Sequence, residues 1–131
     1  MDQTAKPKTI LVVDDDQDFL MQMDLQLRAA GFGVVLAGSL REARQALDRR
    51  TPDLVLTDRM MESVDAGLDL CHEVKTAVPG TPVILVTSAY QDMGLRREEP
   101  GQAGRLPADA VLAKPLRAEA LRREIRRLLG S

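Results

Sequence analysis

Aromatic side chains are almost absent: the 131 residues hold two Phe, one Tyr and no Trp. Any core must therefore be aliphatic. A single cysteine, Cys71, excludes an internal disulfide. It falls in a helical pattern, which fits packing in a reduced compartment better than reactivity. No apolar run approaches the ~18 residues of a membrane span, and residues 1–9 lack the apolar stretch of a secretory signal. The expectation is a soluble, cytoplasmic protein with no membrane partner. The net charge of −2 gives no bulk attraction to nucleic acid, so none is expected to bind directly. There are no internal repeats and no low-complexity tract beyond the polar first nine residues. The chain reads as a flexible segment over residues 1–8 and one domain over 9–131, long enough to bury its core without disulfide or metal staples.

What is present is organised around the stretch Pro52-Asp53-Leu54-Val55-Leu56-Thr57-Asp58. Its apolar run suits a parallel strand buried on both faces, and it carries Asp58 to the strand's carboxyl end. Residues 9–13 make a similar strand ending in Asp14-Asp15-Asp16. A helix is predicted over 18–30, with Phe19, Leu20, Met23 and Leu27 on one stripe and Gly31 at its C-terminus. Residues 34–37 form a second strand. The Ser39-Leu40-Arg41-Glu42 capping box opens a helix to about Arg50 whose Leu40, Ala43 and Leu47 face the sheet. A helix over 67–77, broken by the run from Val78 to Pro82, precedes a strand over 83–86 that leads to Thr87-Ser88. A strand over 110–113 ends at Lys114-Pro115, and a last helix covers 117–129. Between residues 90 and 108, few apolar residues and repeated Gly and Pro predict a short or frayed helix and an irregular loop. Alternation at this spacing argues a doubly wound α/β domain with a five-stranded parallel sheet.

Such a fold gathers Asp14, Asp15, Asp58, Thr87 and Lys114 at one sheet edge. Crowded carboxylates repel, so they suit a hard divalent cation held through oxygen; Mg²⁺ is expected because it needs few protein ligands and keeps several waters. A carboxylate can attack phosphorus, the cations neutralise the transferring group, and the Thr87 hydroxyl can donate to one of its oxygens. This is chemistry for phosphorylating an aspartate. His72, in contrast, reads as an exposed helix residue away from that edge.

Leu11-Val12-Val13-Asp14-Asp15-Asp16, Leu54-Val55-Leu56-Thr57-Asp58-Arg59-Met60-Met61, Pro82-Val83-Ile84-Leu85-Val86-Thr87 and Ala113-Lys114-Pro115 together resemble the four motifs of receiver domains of bacterial two-component response regulators. They occur in the family's order and over essentially the whole chain, and the resemblance implies a flavodoxin-like sheet in strand order 2-1-3-4-5. The resemblance implies a phosphorylation-dependent signalling switch rather than a turnover enzyme. Asp58 would accept a phosphoryl group from a sensor histidine kinase or phosphotransfer protein. It further implies that Asp15, Asp58 and the main-chain carbonyl of Met60 bind Mg²⁺, with Asp14 acting through water. Thr87 and Lys114 would contact the phosphoryl oxygens, with Asp16 and Ser88 as auxiliary residues.

Three departures from the family pattern stand out. Glu62 occupies the usual proline position, the turn 63–67 is one residue longer, and Val111 replaces the usual Tyr or Phe. Ordering of the 91–107 loop is the expected substitute for a rotating ring. Two alternatives remain open at this level. One is a receiver fold kept only as an interaction module; the other is a haloacid-dehalogenase-like phosphatase with Asp14 as nucleophile and Asp16 as general acid. Charge is uneven: residues 1–65 carry 8 basic and 12 acidic side chains, residues 66–131 carry 10 and 8. The excess lies in the last helix, where Arg117, Arg122, Arg123, Arg126 and Arg127 surround a stripe of Leu121, Ile125, Leu128 and Leu129. That helix and the fifth strand are the expected surface for a downstream protein partner or a dimer. With the sequence ending there, a stand-alone or excised receiver is expected.

Overall fold

The computed structural model describes residues 7–61, 65–88 and 108–130. Five parallel strands form one sheet: β1 (Thr9–Val13), β2 (Gly33–Ala37), β3 (Leu54–Asp58), β4 (Val83–Thr87) and β5 (Ala110–Ala113), in the order β2-β1-β3-β4-β5. Among the described residues there are four helices: α1 (Gln17–Ala29), α2 (Leu40–Arg49), α3 (Ala66–Ala77) and α4 (Ala118–Leu129). The architecture is the doubly wound, flavodoxin-like one expected, and each element lies within a residue or two of its predicted bounds. The helix expected near residue 92, the turn at Glu62 and most of the first eight residues lie outside the described residues.

Every residue of β3 and β4 is buried, which is why their sequences run as unbroken apolar stretches. Alternate strand residues then serve two cores. Ile10, Val12, Leu54, Leu56, Ile84 and Val86 pack with α1 and α4 on one face. Leu11, Val13, Val55, Val83 and Leu85 pack with Ala43 of α2 and with Leu70, Cys71 and Val74 of α3 on the other. Each such aliphatic side chain contributes about 1.5–3 kcal/mol on burial, so the scarcity of aromatics costs the core little. Cys71 is fully buried, in keeping with a packing role, and His72 is exposed on α3.

Helix ends show how local chemistry fixes the strands' exits. The Asp16 carboxylate caps α1, accepting from the N–H groups of Asp18 (3.0 Å) and Phe19 (3.4 Å). At the other end Gly31 takes φ +98° while Phe32 N–H donates to Leu27 O at 3.0 Å and Gly31 N–H to Arg28 O at 3.0 Å. That double closure needs the left-handed conformation glycine adopts without strain. In α2, Ser39 Oγ accepts from Glu42 N–H at 3.1 Å, and Glu42 reaches back to Gly38 N–H at 2.7 Å. The box expected from the sequence is present, with its return bond one residue earlier than the usual partner.

Candidate functional site

The sheet ladder delivers the site. Strand register pairs Asp58 with Val86 and Thr87 with Ala113. One residue beyond the strands, three further backbone bonds extend the alignment: Asp14 N–H to Ala37 O (3.1 Å), Arg59 N–H to Val86 O (2.7 Å) and Lys114 N–H to Thr87 O (2.7 Å). Asp14, Asp58, Thr87 and Lys114 are therefore held by backbone rather than by loop conformation. The Lys114–Pro115 peptide is cis.

Carboxylate oxygens from Asp14, Asp15 and Asp58 lie within 4.8 Å of one another. Asp14 is fully enclosed, Asp58 is 9% exposed and Asp15 faces solvent. Lys114 Nζ lies 2.9 Å from Asp14 Oδ2 and 3.8 Å from Asp58 Oδ1. The other Asp14 oxygen accepts from Asp16 N–H at 2.9 Å. Burial, with the charges of Asp14 and Asp15 added, pushes the Asp58 carboxyl up to about 7, although Lys114 opposes the shift. Burial also raises Asp14, against the pull of Lys114 and of the Asp16 N–H. Burial by itself would lower the Lys114 ammonium; Asp14, Asp58 and Asp16 outweigh it, and the ammonium is raised overall. Fully ionised, the three carboxylates outnumber the one ammonium by two negative charges, the complement of a divalent cation. Thr87 Oγ1 is buried without a hydrogen-bond partner among the described residues. A buried hydroxyl without a partner is costly unless a ligand's oxygen satisfies it.

The structure thus brings together Asp14, Asp15, Asp58 and Lys114, with Thr87 at the end of the neighbouring strand. Met60 is half-buried two residues past β3. Asp16 gives one carboxylate oxygen, Oδ1, to the α1 cap. Ser88 lines a groove shared with Lys114, Pro115, Leu116 and α1. Two residues at the site were legible only as something plainer. Phe19 read as one member of the α1 core stripe, yet Lys114 Nζ lies 4.5 Å from its ring centroid. Gly67 read as a helix start, yet its missing side chain lets α3 approach the Asp58 backbone.

Fold and site together define a signalling domain of the phosphoacceptor class: a doubly wound sheet with an acidic cluster and a lysine at its carboxyl edge. Comparison with known proteins names the family. Residues 10–126 match the response regulator receiver domain. The transcriptional regulatory protein GlrR of Escherichia coli is 40% identical over 83 residues, covering 63% of this chain and 18% of that protein. Response regulator MprA of Mycolicibacterium vanbaalenii is 34% identical over 123 residues, covering 94% of this chain and 51% of that one. A receiver domain structure from Clostridium thermocellum superposes with a TM-score of 0.80 at 27% identity, covering 94% of each chain. The chain belongs to the receiver domains of two-component response regulators, and it spans 18% and 51% of the length of these two curated relatives. Receiver domains bind Mg²⁺ at an acidic pocket, and this chain carries the corresponding aspartate cluster. Nothing in these likenesses supports a phosphatase or a bare interaction module. Among the described residues no helix is long and apolar enough to cross a membrane.

Proposed function

We propose that Asp58 is the phosphoacceptor of a cytoplasmic receiver unit spanning residues 9–131, and that a sensor histidine kinase or phosphotransfer protein supplies the phosphoryl group. The observation that carries this reading is the Asp58 carboxylate itself, at the end of β3, within the acid cluster and 3.8 Å from the Lys114 ammonium. Asp14 is an inferior nucleophile because it is fully enclosed and both its oxygens are engaged. In the transfer an Asp58 oxygen attacks the phosphorus of an N-phosphorylated imidazole. The P–O bond forms as the P–N bond breaks, and the electron pair returns to the imidazole nitrogen. Lys114 balances charge on the transferring group, and the Thr87 hydroxyl donates to one of its oxygens. Asp14, Asp15, Asp58 and the Met60 carbonyl would hold Mg²⁺, which when bound offsets the charge that accumulates around phosphorus. Asp16 and Ser88 flank this set as auxiliary residues.

The donor has a place to rest. A groove of about 830 Å³ runs from Ser88, Lys114 and Pro115 along α1. Beside it Met21 and Leu25 are 62% and 71% exposed, one helical turn apart. An exposed apolar pair next to a reactive edge suits a helix presenting phosphohistidine. Output is assigned to α4 and β5, whose exposed arginines and Val111 offer a surface to a downstream partner or a second receiver. The test is intact mass after incubation with acetyl phosphate and Mg²⁺. One phosphoryl group is expected on the native protein and none on Asp58→Asn; equal mass gain in both would overturn the assignment.

A further inference from the structure

Of the two aromatic residues described, Phe19 and Phe32, Phe19 has its ring against the site's lysine. Both rings pack in or against the α1 side of the sheet, but the ring of Phe19 also meets a charged group. We propose that Phe19 is a positioning residue for Lys114, its ring face holding the ammonium at the rim of the acid cluster within reach of a phosphoryl group on Asp58. This rests on the assignment of Asp58 and Lys114 given above.

The ammonium has three neighbours at graded distance: Asp14 Oδ2 at 2.9 Å, Asp58 Oδ1 at 3.8 Å and the Phe19 centroid at 4.5 Å. Its bond to Asp14 is short and directional, and it must loosen when Lys114 turns to a phosphoryl oxygen on Asp58. Attraction to a ring face is different in kind: it acts anywhere within about 6 Å of the centroid and does not demand a particular N–H direction. From 4.5 Å the ammonium can move by about 1.5 Å before it leaves that range, so the ring contact tolerates a displacement that the Asp14 bond does not. Leucine or isoleucine at residue 19 would fill the same core space and supply none of this. Phe19 is itself well fixed. Its N–H joins the Asp16 cap at 3.4 Å, it is 9% exposed, and it packs in the α1–sheet core. A partner held in this way gives the lysine a defined location rather than another mobile contact.

The native protein gives the first test without mutation. The ε-methylene protons of Lys114 are expected upfield of the other lysines, from the ring current of Phe19; an unshifted position would overturn the geometry. Kinetics give the second. With acetyl phosphate and Mg²⁺, Phe19→Leu is expected to slow phosphorylation about fivefold, the effect of losing one cation–π contact. Phe19→Tyr, which keeps the ring face, should restore it. In a Lys114→Ala background Phe19→Leu should add nothing, since the ring acts only through the lysine. A Lys114→Ala protein that phosphorylates at the native rate would overturn the reading of the site beneath this proposal. If Lys114→Ala is slow and Phe19→Leu is native-like, the site stands and the positioning role falls.

Discussion

A Cβ on Gly67 would overlap the main-chain oxygen of Asp58 and come within 2.5 Å of Arg59 Cα. Gly67 N–H also donates to Arg59 O at 2.8 Å, so the first turn of α3 rests directly on the backbone that presents the acceptor. Alanine in place of a helical glycine ordinarily adds up to ~1 kcal/mol. Here it must displace α3 or β3, both of them buried, and overpacking of that kind costs about 1–3 kcal/mol. Gly67→Ala is expected to lose about 2 kcal/mol in urea denaturation and to phosphorylate more slowly. Unchanged stability and rate would show that α3 shifts freely.

The raised Asp58 carboxyl makes stability depend on pH. Its value in the fold is about 7 against an ordinary 3.8, so the fold favours the neutral form. That contribution is fully present below pH 3.8 and is lost as pH rises through about 7. Asp14 is raised as well and acts in the same direction. In Mg²⁺-free buffer Asp58→Asn should therefore be the more stable protein by on the order of 4 kcal/mol at pH 8, with the gap closing toward pH 4. Thermal melts of both proteins across this range check it, and a gap that widens on acidification would contradict the sign.

Mg²⁺ should raise the melting temperature of the native protein at pH 8, because it binds only the folded cluster; a concentration 100-fold above its Kd corresponds to about 2.7 kcal/mol. Asp15→Ala removes the exposed member of the cluster and should abolish the dependence while raising stability without metal, by relieving repulsion. An Asp15→Ala protein that still melts higher with Mg²⁺ would put the metal elsewhere.

Burial, reinforced by Asp109 and opposed by Lys75, pushes the Cys71 thiol up to about 12. At pH 8 almost no thiolate forms in the fold. Iodoacetamide should leave the native protein unlabelled over hours and modify it fully in urea, read by mass. Rapid native labelling would show α3 opening from the sheet far more often than its burial suggests.

Much of this molecule was determined locally, and so was visible in the sequence. Leu54, Val55 and Leu56 announce a doubly covered strand because both faces of a parallel sheet must be apolar, and the polar residue that ends such a run lands at the sheet edge. Asp58, Thr87 and Asp14 were placed by that rule, and Lys114 by ending the shorter, partly exposed run of β5. Ser39 was legible as a cap because capping is decided within four residues of chain, whereas Asp16 was expected only as an auxiliary acid and the structure shows it capping α1. The tertiary structure decided everything that depends on distance between elements. Asp14 and Lys114 are 100 residues apart, and only the strand order and register bring them to 2.9 Å. Phe19 fits the same helical stripe whether or not a lysine meets its ring. Gly67 shows its purpose only where α3 lies on Asp58. The pKa of Asp58 follows the same division: the residue is written in the sequence, but its value of about 7 comes from the burial and neighbouring charges that packing imposes. Period and punctuation fix which residues reach an edge, whereas separations of a few ångströms, on which ion pairs, ring contacts and desolvation all depend, are set when the helices close over the sheet.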